Sequence, residues 1–403
     1  MTTSPPQPKR GKHLALVGAG GNIGSHAAPH LARISDVDCI TLVDSGVYEA
    51  KDVWGQGITP RDVGKWKAVV QARRLRAINP NLHVRAITEP IERVPLGFLR
   101  ADVILAGLDS RRARQVLNQA AWHLNVPWID AGVDGANLLV RTNVSRPGDG
   151  SPCLECGWSQ QDYEQLEQSY PCQGNAVKVA PTNAPSALGA LAASLEALEC
   201  RKLLWELTGR VLIANQILLD ILFHKHYITS YVRNAQCRFD RQIWEVQELP
   251  RPAALSLKDV LALGAAASGN GDALPCLQVA GSHFVQALSC AACGSKKRLL
   301  RLEASLRPAD LKCRRCGGAM VATGFDRLDR LDPGRLPWHV LARSLRSLGV
   351  REHDVVCVGG PRGERHYELE VTDCDRNLLK PDSGQGCDVT VNVPGLSVLP
   401  DMV

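Results

Sequence analysis

Two cysteine pairs, Cys290-x-x-Cys293 and Cys313-x-x-Cys316, stand nineteen residues apart. Thiolates are soft ligands, and two such knuckles can close one tetrahedron around Zn²⁺. Gly294 and Gly317, just after Cys293 and Cys316, let the knuckle backbone turn toward the metal. Four reduced core cysteines are the alternative. A structural zinc would stabilise a module too small to rely on its own core, and partner docking is the expected use of such a module. Near the other end, residues 17–24 read V-G-A-G-G-N-I-G between an apolar run and a helical pattern. A loop built from Gly18, Gly20, Gly21, Asn22 and Gly24 can approach phosphates closely and present amide N–H groups at a helix N-terminus. It departs from G-x-G-x-x-G, because Gly24 arrives one residue late. Asp44, twenty residues after Gly24, closes the run CITLVD, where a dinucleotide fold places the acid that holds a ribose hydroxyl. These features fit a nicotinamide dehydrogenase equally well.

Such residues need a scaffold. From His13 short apolar runs (LALVG, CITLVD, HVRAIT, DVILAGLD, PWIDAG) alternate with helical stretches to about Arg33, from Ala68 to Ile78 and from Arg112 to Leu124. That alternation predicts a parallel sheet built by right-handed crossovers. The expected fold class is therefore α/β: a Rossmann-like, mostly parallel sheet with flanking helices, followed by a small zinc-ribbon module and an α+β C-terminal region. The expected division is a disordered tail over 1–12, a nucleotide-binding domain over 13–249, a Pro/Gly/Ser-rich linker over 250–275, the ribbon over 276–325 and the last region over 326–403. Within that region WHVLARSLRSLGV reads as an amphipathic helix, and VVCVGG with HYELEV as a strand pair.

The 403 residues are 45% hydrophobic and carry a net charge of +6 spread along the chain, which argues against nucleic acid as the main partner. Charged residues such as Glu196, Glu199, Arg201 and Asp220 interrupt the most apolar stretches, so no membrane span is expected. Fourteen cysteines, several as C-x-x-C and without a secretory leader, point to a reducing, cytoplasmic compartment. Cys39 and Cys200 fall in strand and helix patterns and read as core. The tryptophans Trp54 and Trp66 read as packing residues, His26 and His30 as solvated or hydrogen-bonded, and Pro29 as a bend in the first helix.

Further elements separate the nucleotide-binding readings. Gly64-Lys65-Trp66-Lys67-Ala68, Ala77-Ile78-Asn79-Pro80, Ala106-Gly107-Leu108-Asp109-Ser110-Arg111, Val126-Pro127-Trp128-Ile129 and Ser151-Pro152-Cys153-Leu154-Glu155-Cys156 follow one another in order. In that order the chain from 13 to about 240 resembles the ThiF/MoeB/ubiquitin-activating superfamily, whose members adenylate the C-terminus of small ubiquitin-fold proteins. The resemblance implies ATP and Mg²⁺. It assigns Asp52, Gln56, Lys67 and Ser110 to the nucleotide, Asp44 to its ribose, Asp109 to Mg²⁺, and both Lys67 and Asp109 to catalysis. An attacking carboxylate is already ionised at neutral pH, so no general base is required, and the absence of an obvious Ser-His-Asp or paired-acid constellation is consistent with that.

The chain departs from the family pattern at two positions. The family Asn stands as Asp52 and the family Arg as Gly55, while Gln56 is retained. Loss of a guanidinium removes a donor that can be worth about 3 kcal/mol of barrier. Arg61, Arg111 and Arg114 are the candidate replacements, with Arg61 placed among the catalytic residues. Cys153 and Cys156 resemble half of a family zinc site, Cys237 matches the first cysteine of its other half, and Asp240 stands where the last is expected. Cys172, His224 and His226 are the candidate fourth ligands. By the same resemblance Cys172 is a candidate nucleophile that accepts the activated carrier as a thioester, with zinc ligand or buried thiol as alternatives.

The implied partners are a small ubiquitin-fold carrier, a downstream conjugating enzyme or sulfur donor, and a second copy of the chain. The extra zinc module favours conjugation over cofactor biosynthesis. A non-catalytic nucleotide- and zinc-binding scaffold of the same fold is the rival.

Overall fold

The computed structural model describes residues 11–168, 184–207, 209–249, 255–268, 275–360 and 363–369. The chain divides into two compact units: one runs to Val94 and resumes over Phe98–Ile243, and the other joins Pro95–Gly97 to the chain from Trp244 onward. The division thus falls six residues before the boundary expected at 249, because Val246–Leu249 is already a strand of the second unit.

The first unit is one eight-stranded sheet: β1 (Lys12–Val17), β2 (Val37–Val43), β3 (His83–Ile87), β4 (Val103–Ala106), β5 (Trp128–Asp134), β6 (Leu139–Ser145), β7 (Asn215–Asp220) and β8 (Lys225–Ser230), ordered β3-β2-β1-β4-β5-β6-β7-β8. From β3 to β5 the strands are parallel; β6, β7 and β8 add antiparallel. The runs LALV, ITLV and VILA are buried throughout, as strands covered on both faces must be. Helices α1 (Gly24–Leu31), α2 (Lys67–Ile78), α3 (Arg111–His123), α4 (Gln160–Gln168) and α5 (Ser186–Leu204) complete the unit. The Ala- and Leu-rich α5 packs against α1, β5 and β6, so it is apolar on nearly every side. Pro29 lies inside α1, which ends two residues later. Cys200 is fully buried as expected, whereas Cys39 is half-buried on β2.

Strand order passes outward in both directions from β1, to β2 on one side and β4 on the other. In open α/β sheets this switch point leaves a crevice beyond the carboxyl ends of the strands, where ligands bind. The loop after β1, Asp44 after β2 and Asp109 after β4 all lie at that edge.

The second unit corrects several expectations. Part of the supposed linker is helix α6 (Leu257–Ser268), whose Leu257, Val260 and Leu261 are core residues. The ribbon and the C-terminal region are not consecutive modules, since they share sheets. Strands β9 (Val246–Leu249), β10 (Cys276–Val279), β15 (Val355–Gly360) and β16 (Gly363–Leu369) form one sheet in the order β10-β15-β16-β9. Strands β11 (Phe284–Cys290), β12 (Lys296–Leu302), β13 (Met320–Val321) and β14 (Arg327–Leu328) form the other. The expected pair from VVCVGG and HYELEV is β15–β16. The amphipathic helix expected from Trp338 shortens to α7 (Trp338–Leu341), followed by turns ending at Gly349, which is left-handed at φ +85°. Its apolar residues Val340, Leu345 and Leu348 still reach the core, through turns rather than one helical face. Among the described residues no helix is long and apolar enough to cross a membrane.

Candidate functional site

The glycine loop is held by sterics. Gly18 takes φ +78°, and a side chain there would meet the Gly107 carbonyl oxygen at 2.4 Å. Gly24, late by one in the motif, opens α1, where a Cβ would sit 2.1 Å from the Gly18 carbonyl oxygen. It therefore performs the close-packing role of the third glycine from a shifted position. The Gly20 N–H donates to one Asp44 carboxylate oxygen at 2.8 Å and the Gly46 N–H to the other at 2.8 Å. Burial pushes the Asp44 carboxyl up from its ordinary value, against the Gly46 and Gly20 amides and Lys67, and the Asp109 charge adds to the rise.

Lys67 is the first residue of α2, and its stem lies against Gly20. Its Nζ sits 3.3 Å from Asp52 Oδ2, donates to Gln56 Oε1 at 3.2 Å, and lies 5.2 Å from the centre of the Tyr48 ring. Gln56 Nε2 donates to Asp52 Oδ1 at 2.9 Å. Tyr48 accepts from Gln71 at 2.7 Å, and burial raises its phenol above the ordinary value. Gly18, Gly20, Asp44, Asp52, Gln56 and Lys67 thus lie near one another, with Tyr48 as a further neighbour that the sequence did not single out. Asp52, which stands where the resemblance expects Asn, forms an ion pair with Lys67.

Other expected residues have different tasks. The Asn22 amide donates to the Gly55 and Ala184 carbonyls, tying the loop to its surroundings. Ser110 caps α3, its hydroxyl accepting from the Ala113 N–H at 3.2 Å. Asp109 is exposed at the edge of the site. Of the candidate arginines, Arg111 pairs with Asp162 at 2.7 Å, while Arg114 donates to the Leu108 carbonyl and to Asp130 at 2.9 Å. Arg61 is exposed on a single turn, Pro60–Asp62. A Cβ at Gly55 would make only ordinary contacts, the nearest at 3.5 Å.

Sequence reasoning missed Asp130 and Glu196. Asp130 is fully buried, yet Arg114 and Arg141, at 2.9 and 2.7 Å, outweigh burial and hold its carboxyl below the usual range. Because Arg114 also holds Leu108, this network fixes the loop that carries Asp109. Glu196 on α5 accepts from the Ala106 N–H at 2.9 Å, and burial pushes its carboxyl up to about 8. Acids inside apolar runs, Asp130 in PWIDAG and Glu196 with Glu199 in SALGALAASLEALEC, are the available signal. Trp54 is 84% exposed and Trp66 43%, so neither is the packing residue expected. His26 hydrogen-bonds with Ser186 at 3.0 Å.

Two groups of thiols cluster among the described residues. Cys290, Cys293, Cys313 and Cys316 lie within 4.8 Å of one another, with Sγ–Sγ separations of 3.4 and 3.7 Å for Cys290–Cys316 and Cys293–Cys313. A tetrahedral site with Zn–S near 2.3 Å places sulfurs about 3.8 Å apart. The N–H groups of Cys293 and Ala292 hold the Cys290 thiol down to about 6. In the first unit Cys153, Cys156 and Cys237 cluster likewise, with separations of 3.8 and 3.6 Å. Arg241 takes the remaining side, its guanidinium 3.1 Å from Cys156 Sγ. Asp240, His224 and His226 are exposed and outside this cluster, and Cys172 lies outside the described residues.

The chain matches the ThiF family over residues 9–242. It belongs to that family. Among curated relatives it is similar to the sulfur carrier protein ThiS adenylyltransferase of Escherichia coli K12, 30% identical over 36% of this chain and 57% of the relative. It is also similar to the NEDD8-activating enzyme E1 catalytic subunit of Saccharomyces cerevisiae, 29% identical over 37% and 53%. The chain thus spans about half the length of the curated relatives it matches. Among solved structures, E. coli MccB with ATP is 22% identical, with a TM-score of 0.47, covering 57% of this chain and 66% of that one.

Proposed function

We propose that this ThiF-family protein uses ATP to adenylate the C-terminal carboxylate of a small ubiquitin-fold carrier protein. The observation that carries the reading is the convergence of the Gly18–Gly24 loop, Asp44, Lys67 and Asp109 at the switch point of the parallel sheet. A carrier carboxylate attacks the α-phosphorus of ATP, a P–O bond forms, and pyrophosphate leaves with the bonding pair. The loop amides bind phosphate oxygens, Asp44 orients the ribose, and Lys67 offsets charge on the phosphates as it turns from Asp52 toward them. A carboxylate at the site edge, close enough to Asp44 for its charge to be felt there, offers oxygen ligands that fit a hard cation. Asp109 would hold Mg²⁺, which when bound neutralises phosphate charge. Both cysteine clusters fit Zn²⁺ by donor type and spacing, the four-thiol one completely and the three-thiol one with Arg241 on its fourth side.

The proposal extends to pairing of two chains through the first unit, and to transfer of the acyl group to Cys172 with release of AMP, then to a conjugating enzyme or sulfur donor. A second reading rests on the Asp52–Lys67 ion pair and on Gly55: a scaffold that binds nucleotide without adenylation. Incubation with ATP and a panel of carriers ending in Gly-Gly, followed by intact-mass analysis, separates the two. A carrier carrying AMP supports adenylation. Bound ATP with unmodified carriers throughout supports the scaffold.

A further inference from the structure

The hairpin of the second unit places a thiol, an imidazole and a carboxylate on one face. Cys357 on β15 is the direct cross-strand partner of His366 on β16, and Glu364 stands two residues before His366. Because side chains alternate along a strand, residues two apart share a face. The three candidate ligand atoms lie within 4.8 Å of one another.

Three further features point to a ligand. Cys357 and His366 are each only 7% exposed, while Glu364 is exposed, so the cluster is buried at one end and open at the other. His366 Nε2 is buried without a hydrogen-bond partner among the described residues, an uncommon state for a buried polar atom. Trp244 stacks on the His366 ring at 4.3 Å and 9°, fixing the plane of the imidazole as outer-shell groups do at metal sites.

We propose that Cys357, Glu364 and His366 form a metal site of their own, binding one zinc-class divalent cation with a fourth coordination position open to water or an exogenous ligand. The donor set selects the metal: thiolate and imidazole exclude Mg²⁺ and Ca²⁺, while S, N and O donors together suit Zn²⁺ or Co²⁺. Three protein ligands are the number found where the fourth position is kept for exchange. The forms that ligate a metal are the neutral imidazole and the thiolate. Binding therefore releases the Cys357 proton to solvent, and a 2+ cation with thiolate and carboxylate leaves no net charge. This site is independent of both thiol clusters and of the adenylation reading.

The test is metal stoichiometry on the full chain. Protein stripped with chelator is titrated with Co²⁺, with cobalt per chain counted by elemental analysis and Trp emission followed for quenching. Glu364→Ala is the decisive variant, since an exposed side chain can be removed without disturbing the hairpin core. It is expected to keep the wild-type circular dichroism while one cobalt equivalent weakens at least tenfold or is lost, as it is in Cys357→Ser. Trp244→Phe is expected to lose the matching part of the quenching. Wild-type cobalt count and affinity in Glu364→Ala would overturn the proposal.

Discussion

The glycine loop of the first unit and the knuckles of the second both bring backbone close to an acidic side chain, a carboxylate in one and thiols in the other, with the same device. Gly18 turns at φ +78°, Gly294 at +68° and Gly317 at +73°, and in each place amide N–H groups face the charge or its expected position. What differs is the support. The loop hangs from strands whose cores are fully buried, so its shape is set before any ligand arrives. Around the knuckles the cysteines join buried Val285, Leu288 and Met320 and half-buried Leu299, Leu306 and Ala322 in one small cluster, little apolar burial with which to hold four thiols at tetrahedral spacing without a bound charge. The loop should therefore be shaped for its ligand, and the ribbon shaped by it.

The largest expected effect breaks one side of this contrast alone. Cys290→Ser with Cys313→Ser, or prolonged chelation, should abolish amide-exchange protection over residues 284–321 while β1 and β4 keep theirs. Equal protection in treated and untreated protein would mean that the ribbon stands on its core. Next comes Lys67→Ala, expected to lower pyrophosphate exchange about a hundredfold with hydrogen exchange unchanged everywhere. A parallel loss of protection in the loop would remove the claim that the loop is preformed.

A smaller effect is predicted for the residue that departs from the family. Asp52→Asn removes a negative charge 3.3 Å from Lys67 and should tighten ATP binding roughly tenfold by calorimetry. Weaker binding would make the ion pair part of the nucleotide site. The smallest effect concerns pH, where the two regions should respond with opposite sign. Glu196 has its carboxyl raised to about 8, so between its ordinary value and 8 the unfolded chain has lost a proton the folded chain keeps. Stability of the first unit should fall as pH rises through that window, by at most about 1.4 kcal/mol per pH unit, and Glu196→Gln should flatten the slope. In the ribbon the thiolate, not the thiol, is the zinc ligand, so stability there should be lost as pH falls and protons compete with the metal for the cysteines. Urea midpoints at pH 5 and 7.5, read separately from each unit, would show the crossing; slopes of the same sign would refute it.

Much of the first unit was legible because its signals are local. A run such as LALV followed by glycines and a helical pattern places the loop, and Asp44 follows at the end of the next strand. Lys67 could be placed by its motif, but its pairing with Asp52 depends on a turn that brings α2 back over Tyr48 and Gln56. Asp130 and Arg141 meet only through the antiparallel pairing of β5 and β6. The second unit was read poorly for the same reason. Strand β9 pairs with β16, more than a hundred residues later, and β10 joins β15 across the ribbon. Consecutive modules were the natural reading of a chain that instead threads two sheets. Cys357 and His366 belong to no recognisable spacing and become neighbours only through the register of one hairpin.

The central claim is adenylation at the switch point, and ATP–pyrophosphate exchange with ubiquitin-fold carriers tests it most directly, comparing the wild-type chain with Asp109→Ala. Carrier-dependent exchange is expected in the wild type, reduced at least a hundredfold in Asp109→Ala. Absence of exchange with every carrier, in protein shown to bind ATP, would contradict it.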